Sequence, residues 1–334
     1  MIKLAINGFG RIGRTAFKIA MQKPEVEIVA VNDLTDAATL AHLLTFDSNY
    51  GVYHQKVTAI GNALLIAGKK IVVLNEKEPS KLPWKDMGID VVIESTGKFT
   101  DAEGAQQHIT AGARKVIISA PGKGGNVPTY VLGVNDHNYK DEAVFSNASC
   151  TTNCIAPVAS VIHQSFRITK AMMTTIHAYT ADQNIQDGPH KDLRRARAAG
   201  YNIVPTTTGA ALAVGETIPE IKGKFDGLAI RVPVPIGSIS DCVFVVGRKT
   251  SVNEVNNALI QASQNPIYQN ILTVTNTPIV SSDIVGNPYS AIVDLSLTKV
   301  IEGDMVKVVA WYDNEWGYSN RLVDQVIALG KKRD

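Results

Sequence analysis

Three cysteines in 334 residues, Cys150, Cys154 and Cys242, are too few and too odd in number for a disulfide framework. They point to free thiols in a reducing compartment, so a cytoplasmic protein is expected. Cys150 and Cys154 have no second pair of ligands nearby, and Thr151, Thr152 and Asn153 between them supply none, so no metal is expected. No apolar run approaches the roughly 18 residues of a membrane span, so no membrane partner is expected. Residues 1–7 read as a strand, not as a secretory signal. Excess charge is missing too. Lys and Arg number 33 against 31 Asp and Glu, and the balance of +2 gives no reason to expect nucleic acid as the main partner. No repeat or low-complexity segment stands out.

What is present is an ordinary globular composition, 45% hydrophobic and 19% charged, in a chain longer than one core usually serves. The first half alternates strand-like runs (residues 2–7, 27–32, 71–74, 91–94 and 116–119) with helix-like ones (14–22, 39–44 and 101–111). That order implies an α/β fold with a Rossmann-type, doubly wound parallel sheet. After Cys150 the strands lengthen and alternate (171–177, 228–232, 238–246, 291–297 and 305–312), and helices such as 252–262 are few. This predicts an α+β domain with a mainly antiparallel sheet. The expected domains are 1–149 and 150–314, with a C-terminal helix at about 315–334 packing back on the first. The segment Tyr179 to Asn202 is a long polar loop rich in Gly, Pro and Arg, a length uncommon without a function.

Gly8-x-Gly10-x-x-Gly13 follows a strand and opens a helix. Such a turn lets the backbone approach a pyrophosphate, with Arg11 and Ile12 offering helix N-terminal N–H groups to the anion. Asp33, twenty residues after Gly13 and at the end of the second strand, is placed to hold ribose hydroxyls. With no cationic partner in Asp33-Leu34-Thr35-Asp36, a 2′-phosphate would meet like charge, so NAD is expected rather than NADP. As an N-cap, Asp33 would make no statement about a cofactor. Ser95-Thr96-Gly97 and Ser119 end two further strands on the side where such sheets bind ligands.

Cys150 stands where a strand gives way to a helix. Unpaired N–H groups and the helix dipole there favour a thiolate. A nucleophile needs a base. His177 ends a strand and is the leading choice, but His42, His54, His108, His137, His163 and His190 remain open on spacing alone. His108 and His163 lie in helix-like segments and read as packing or surface residues.

Several motifs together resemble one family. They are residues 5–14 (AINGFGRIGR), 31–34 (VNDL), 146–154 (SNASCTTNC), 173–178 (MTTIHA), 207–211 (TTGAA) and 311–318 (WYDNEWGY). The chain resembles the phosphorylating, NAD-dependent glyceraldehyde-3-phosphate dehydrogenases of bacterial type, from Lys3 to about Val326. The resemblance implies oxidation of glyceraldehyde 3-phosphate, with inorganic phosphate, through a thiohemiacetal and a thioester on Cys150, with His177 as base. It implies a substrate-phosphate site of Thr180, Asp182 and Arg231, and an inorganic-phosphate site of Ser149, Thr151, Thr208, Gly209 and Arg197. Arg194 and Arg195 stay ambiguous and would serve subunit contacts. It implies cofactor contacts from Gly10, Arg11, Ile12, Asp33 and Ser119, with Asn314 on the nicotinamide carboxamide and Tyr318 beside it. A homotetramer in glycolysis or gluconeogenesis is implied as well.

The chain departs from the pattern at Leu212, where relatives carry lysine, in the run 234–238, and at Cys242, where leucine is usual. Cys154 and Cys242 read as buried small hydrophobes. An erythrose-4-phosphate dehydrogenase is the nearest alternative, although it usually lacks a segment like Thr207 to Ala211. A non-catalytic binding protein acting at a surface or on RNA is the alternative of another class.

Overall fold

Short runs of β-branched and aliphatic residues, buried on both faces, build the first sheet. Ile2–Asn7 pairs in parallel with Val26–Asn32 on one side and Val91–Glu94 on the other. Lys115–Ile118 and then Val144–Ser146 continue one wing, and Lys69–Leu74 the other, all in parallel. The chain therefore leaves its first strand in both directions, and the switch between Ile2–Asn7 and Val91–Glu94 is where such sheets bind ligands at their carboxyl ends. Beyond Lys69–Leu74, Ala63–Ile66 and Val57–Ala59 add an antiparallel edge. The sequence reading has no counterpart for that edge, because three- and four-residue strands leave too little periodicity to read.

The computed structural model describes residues 1–124 and 127–330 in two compact units. Unit one holds residues 1–130, 138–148 and the C-terminal segment from Ser319; unit two holds 131–137 and 149–318. A single cut after residue 149 misses the excursion of Val131–His137. The last helix is Trp316–Leu329. Its Leu322, Val323 and Val326 are buried. Gln325 Nε2 donates to the Tyr130 carbonyl at 2.6 Å, and Lys115 Nζ to that of Leu329 at 2.9 Å, a cation placed on a helix C-terminus. The last four residues of the expected 315–334 helix lie outside the described residues.

The helix after the glycine turn is Arg11–Ala20, beginning directly after Gly10 and not at Arg14. The next, Ala37–Thr45, is capped by Asp36, whose side chain accepts from Thr39 N at 2.9 Å, so Asp33 is not spent as a cap.

In the second unit the sheet order is Val204–Thr207, Phe225–Val232, Ile168–Ala178, Ser238–Val246, Met305–Tyr312, Ala291–Asp294, Leu272–Thr275. Most pairings are antiparallel. Ile168–Ala178 with Phe225–Val232, and Leu272–Thr275 with Ala291–Asp294, are parallel. Cys150–Phe166 is buried along most of its length, as expected of a helix laid on a sheet. Tyr179 to Asn202 carries no regular element but is internally tied. Asn184 Nδ2 donates to the Gly188 carbonyl at 2.7 Å, and Ala198 N to Asp187 Oδ1 at 2.9 Å.

Candidate functional site

In the first unit the three glycines do different work. Gly8 has φ of +91°, and a Cβ there would lie 2.6 Å from Thr96 N. A Cβ on Gly13 would lie 2.1 Å from the Gly8 carbonyl oxygen, so that glycine closes helix onto strand. Gly10 meets nothing within 4 Å, so its lack of a side chain keeps space open for something outside the fold. The helix it opens has no side-chain cap and no acidic residue in its first turn, leaving the N–H groups near Arg11 and Ile12 for an anion. A cavity of about 620 Å³ lies alongside, lined by Gly8, Gly10, Asp33, Pro79, Thr96 and Phe99 among others. Asp33 is fixed by the Phe9 N–H at 2.8 Å and the Thr35 N–H at 3.0 Å. These residues fit a dinucleotide. The Arg11 side chain points elsewhere, to Asp47 Oδ2 at 2.8 Å, so only its backbone is available to a pyrophosphate. Ser119 N donates to the Glu94 carbonyl at 2.9 Å.

Beneath the cavity runs a buried polar network the sequence reading missed. Glu94 accepts from Asn7 Nδ2 at 2.6 Å and from Thr96 N at 2.8 Å, and lies 3.0 Å from His108 Nε2. Trp84 Nε1, which can only donate, reaches His108 Nδ1 at 2.9 Å, so the imidazole proton sits on Nε2 and faces Glu94. Asn32 Nδ2 donates to Asn7 Oδ1 at 2.6 Å, tying two strand ends together. His108 is thus a packing residue as expected, but a polar one. Its partners Asn7, Trp84 and Glu94 come from three separate segments, a proximity that spacing along the chain does not reveal.

In the second unit Cys150 is the first residue of its helix, capped by Ser149, whose Oγ accepts from Thr152 N at 3.0 Å. Of the seven histidines, His177 is the one at the thiol, with Nε2 3.3 Å from Cys150 Sγ. Its tautomer follows from its other nitrogen. Nδ1 lies 2.6 Å from the Ala178 carbonyl, which can only accept, so Nδ1 carries the proton and Nε2 offers its lone pair to the thiol. Arg231 Nη1, 3.1 Å from that protonated Nδ1, donates instead to the same Ala178 carbonyl at 3.1 Å.

Burial is the largest influence on both partners. It pushes the His177 imidazole down to about 3, with the positive charges of Arg231 and Arg195 adding to the effect. It raises the Cys150 thiol above its ordinary value, while the Arg231 charge and hydrogen bonds from Thr151 pull the other way. Cys150 as a residue keeps partial exposure, so the raising acts on a thiol turned inward. The lowered thiol expected from the helix start is therefore corrected. Desolvating a thiolate outweighs the neighbouring donors, so burial favours the thiol and the neutral imidazole over their ion pair.

Arg231 and Thr180 come together, Nη1 to Oγ1 at 3.3 Å, and the buried Arg231 Nε has no partner, an arrangement that suits an anion. Asp182 lies on the same loop but is paired with Arg195. Arg197 makes no hydrogen bond with Arg231 or Thr180. It pairs with Asp187 at 2.8 Å and its side chain is 61% exposed. The guanidinium held inward is Arg195, 19% exposed, with Nε donating to Thr206 Oγ1 at 2.9 Å and Nη2 to the Thr207 carbonyl at 3.2 Å. The run of three arginines alone offers no signal to choose among them, and Arg197 is named by the resemblance only. Thr208 Oγ1 accepts from Ala210 N at 3.2 Å, and Gly209 opens the helix Ala210–Thr217 with no atom within 4 Å of a would-be Cβ. Leu212 is 64% exposed.

Asn314 Oδ1 accepts from Gly237 N at 3.1 Å and Ser238 Oγ at 3.0 Å, which fixes the amide orientation and leaves Nδ2 to donate. Ser238 Oγ in turn accepts from Ala178 N at 3.1 Å, linking Asn314 to the His177 strand. Tyr318 is buried in the first turn of the last helix. Cys154 and Cys242 are buried, and burial raises both thiols, which makes them poor nucleophiles. Among the described residues no cluster of metal-ligating side chains occurs, and no helix is long and apolar enough to cross a membrane.

Comparison with known proteins covers both units. Residues 2–102 match the NAD binding domain of glyceraldehyde 3-phosphate dehydrogenase, and residues 149–314 its C-terminal domain. The chain is 56% identical to the glyceraldehyde-3-phosphate dehydrogenase of Mycolicibacterium smegmatis, with 99% of each chain covered. It is 53% identical to glyceraldehyde-3-phosphate dehydrogenase 2 of Streptomyces arenae, with 98% of each covered. It is 52% identical to that of Geobacillus stearothermophilus, again with 99% of each covered.

Proposed function

The chain belongs to the glyceraldehyde-3-phosphate dehydrogenase family of NAD-dependent dehydrogenases, and from that membership we propose that it converts glyceraldehyde 3-phosphate and inorganic phosphate to 1,3-bisphosphoglycerate. The observation that carries the mechanism is the 3.3 Å approach of an Nδ1-protonated His177 to the Cys150 thiol.

His177 Nε2 takes the Sγ proton as sulfur adds to the aldehyde carbon, and the proton passes to the resulting oxyanion to give a thiohemiacetal. Nε2 then takes that hydroxyl proton as the carbon is oxidised to a thioester. Gly10, Arg11, Ile12, Asp33 and Ser119, with Asn314 and Tyr318 toward the nicotinamide, would hold NAD, which would supply the hydride acceptor. A phosphate oxygen attacks the thioester carbon, Sγ leaves, and the imidazolium returns its proton to sulfur. Arg231 and Thr180 suit the substrate phosphate, with Asp182 holding Arg195 in place. Ser149, Thr151, Thr208, Gly209 and Arg197 form the inorganic-phosphate site that the resemblance implies, and the inward-held Arg195 adds a second guanidinium near Thr206 and Thr207. A phosphate dianion beside Arg231 offsets the positive field that depresses His177, so binding itself makes the imidazole a better base.

A cytoplasmic homotetramer acting in glycolysis or gluconeogenesis is the setting proposed. Ile185, Leu193, Tyr201 and Ile203 are 83%, 81%, 88% and 69% exposed around the arginine loop, which supports subunit contacts there. Cys150→Ser is expected to abolish phosphate-dependent NADH formation and to retain NAD binding by calorimetry. Normal turnover in that variant would refute the nucleophile. Faster turnover of erythrose 4-phosphate than of the triose at equal concentration would refute the substrate.

A further inference from the structure

Glu94 and His108 are wholly buried and line no part of the cavity beside Gly10, yet the polar network they anchor ends on its walls. Glu94 Oε2 accepts from Asn7 Nδ2 at 2.6 Å and from His108 Nε2 at 3.0 Å. Oε1 accepts from Thr96 N at 2.8 Å and from the Thr96 hydroxyl. Thr96 Oγ1 accepts in turn from Lys98 N at 3.1 Å, so the Glu94 side chain holds the turn that follows its own strand. On the other side Asn7 Oδ1 accepts from Asn32 Nδ2 at 2.6 Å. Asn32 grips Glu76 by both backbone groups, donating to its carbonyl and accepting from its N–H, each at 2.9 Å. Asn7, Asn32, Glu76, Thr96 and Lys98 all line the cavity. We propose that Glu94, oriented by His108, is the positioning residue of the dinucleotide site. It fixes the cavity walls before NAD arrives and so sets the affinity for the half of the cofactor that Asp33 takes. The proposal rests on the reading of this cavity as the NAD site.

Every direction in this network is determined by its end groups. Backbone N–H groups only donate, and backbone carbonyls only accept, so the Glu76 backbone fixes the Asn32 amide, and Asn32 fixes that of Asn7. Trp84 Nε1 only donates to His108 Nδ1, so the imidazole presents its Nε2 proton to Glu94. Thr96 Oγ1 accepts from Lys98 and spends its one proton on Glu94. Four donors therefore converge on one side chain, two on each oxygen. A carboxylate can satisfy all of them. A glutamine in its place has one oxygen, and its NH2 would face either Asn7 and His108 or the two Thr96 donors. A buried network whose members are all satisfied rigidifies the groups it joins. Here those groups are the ends of two strands and the turns after them. Walls held in advance spare the ligand the cost of ordering them, which otherwise subtracts from affinity.

The test reads binding without turnover. Calorimetry on the full chain, free of aldehyde and phosphate, gives dissociation constants for NAD and for ADP-ribose, which lacks the nicotinamide. Glu94→Gln is expected to weaken both by the same factor, about tenfold, the usual consequence of leaving a buried donor unpaired. Val116→Ala is the stability control, since Val116 is buried in a separate apolar cluster with Ala105 and Ile118. It should lower the melting temperature and leave both affinities unchanged. Amide exchange read by mass spectrometry without ligand should quicken in the peptides holding Glu76 and Thr96 to Lys98 in Glu94→Gln, and not in Val116→Ala. His108→Phe keeps a ring beside Trp84 but removes the donor to Glu94. It stands in should Glu94→Gln not fold, with an expected weakening of about threefold for both ligands. Unchanged affinities in the Glu94 or His108 variant, an equal loss in Val116→Ala, or a loss confined to NAD would each overturn the inference while leaving the cavity as the NAD site. Absence of NAD binding by the unaltered chain would overturn both.

Discussion

Below about pH 6.5, the ordinary value of a free imidazole, the buried His177 works against the fold. Unfolded chains take up a proton there, whereas the native imidazole resists protonation until about 3. The unfolded state thus binds more protons across that window, and stability falls as pH is lowered through it. His177→Asn is expected to flatten the wild-type loss between pH 7 and 4.5, read as the urea midpoint at each pH. An equal loss in both proteins would place the acid sensitivity elsewhere. The same variant should lower turnover by roughly 10²- to 10⁴-fold, the usual worth of a general base. Asp33 offers a second residue-scale test. Asp33→Ser removes the carboxylate that opposes a 2′-phosphate, and the NADP to NAD ratio of kcat/KM should rise by at least about tenfold. An unchanged ratio would show that cofactor choice is made elsewhere.

The glycine turn shows how much one element contributes. Gly13→Ala drives a Cβ to within 2.1 Å of the Gly8 carbonyl oxygen, so it should lower the melting temperature by several degrees or prevent folding. Gly10→Ala meets no atom within 4 Å, so the melting temperature should hold while NAD affinity falls at least about tenfold. Equal effects of the two on affinity and stability would erase the distinction. The sequence motif named all three glycines, but only the packed backbone tells them apart. The same division runs through the site. Local signals, a strand end, a turn or a helix start, placed Gly8 to Gly13, Asp33 and Cys150. Groups that meet across strands were not legible: the Arg195 contacts to Thr206 and Thr207, the Glu94–His108 pair and the Tyr312 hydroxyl contacts. The parallel sheet was readable because its strands are continuous apolar runs. The two-strand edge at residues 57–66 was too short to show a period.

At the scale of the whole molecule, the proposed tetramer would cover Ile185, Leu193, Tyr201 and Ile203, which are exposed on the single chain. Sedimentation is expected to give a tetramer, and Leu193→Asp with Tyr201→Asp to shift it toward smaller species. A monomer in the unaltered protein would refute the assembly.

The proposed reaction runs through a thioester at Cys150 that phosphate must release, and rapid mixing tests this most directly. With NAD and glyceraldehyde 3-phosphate but no phosphate, NADH should rise in a burst of about one equivalent per chain and then slow sharply, as acyl-enzyme accumulates. Adding phosphate should restore steady turnover. Continuous turnover at the same rate with and without phosphate would contradict it.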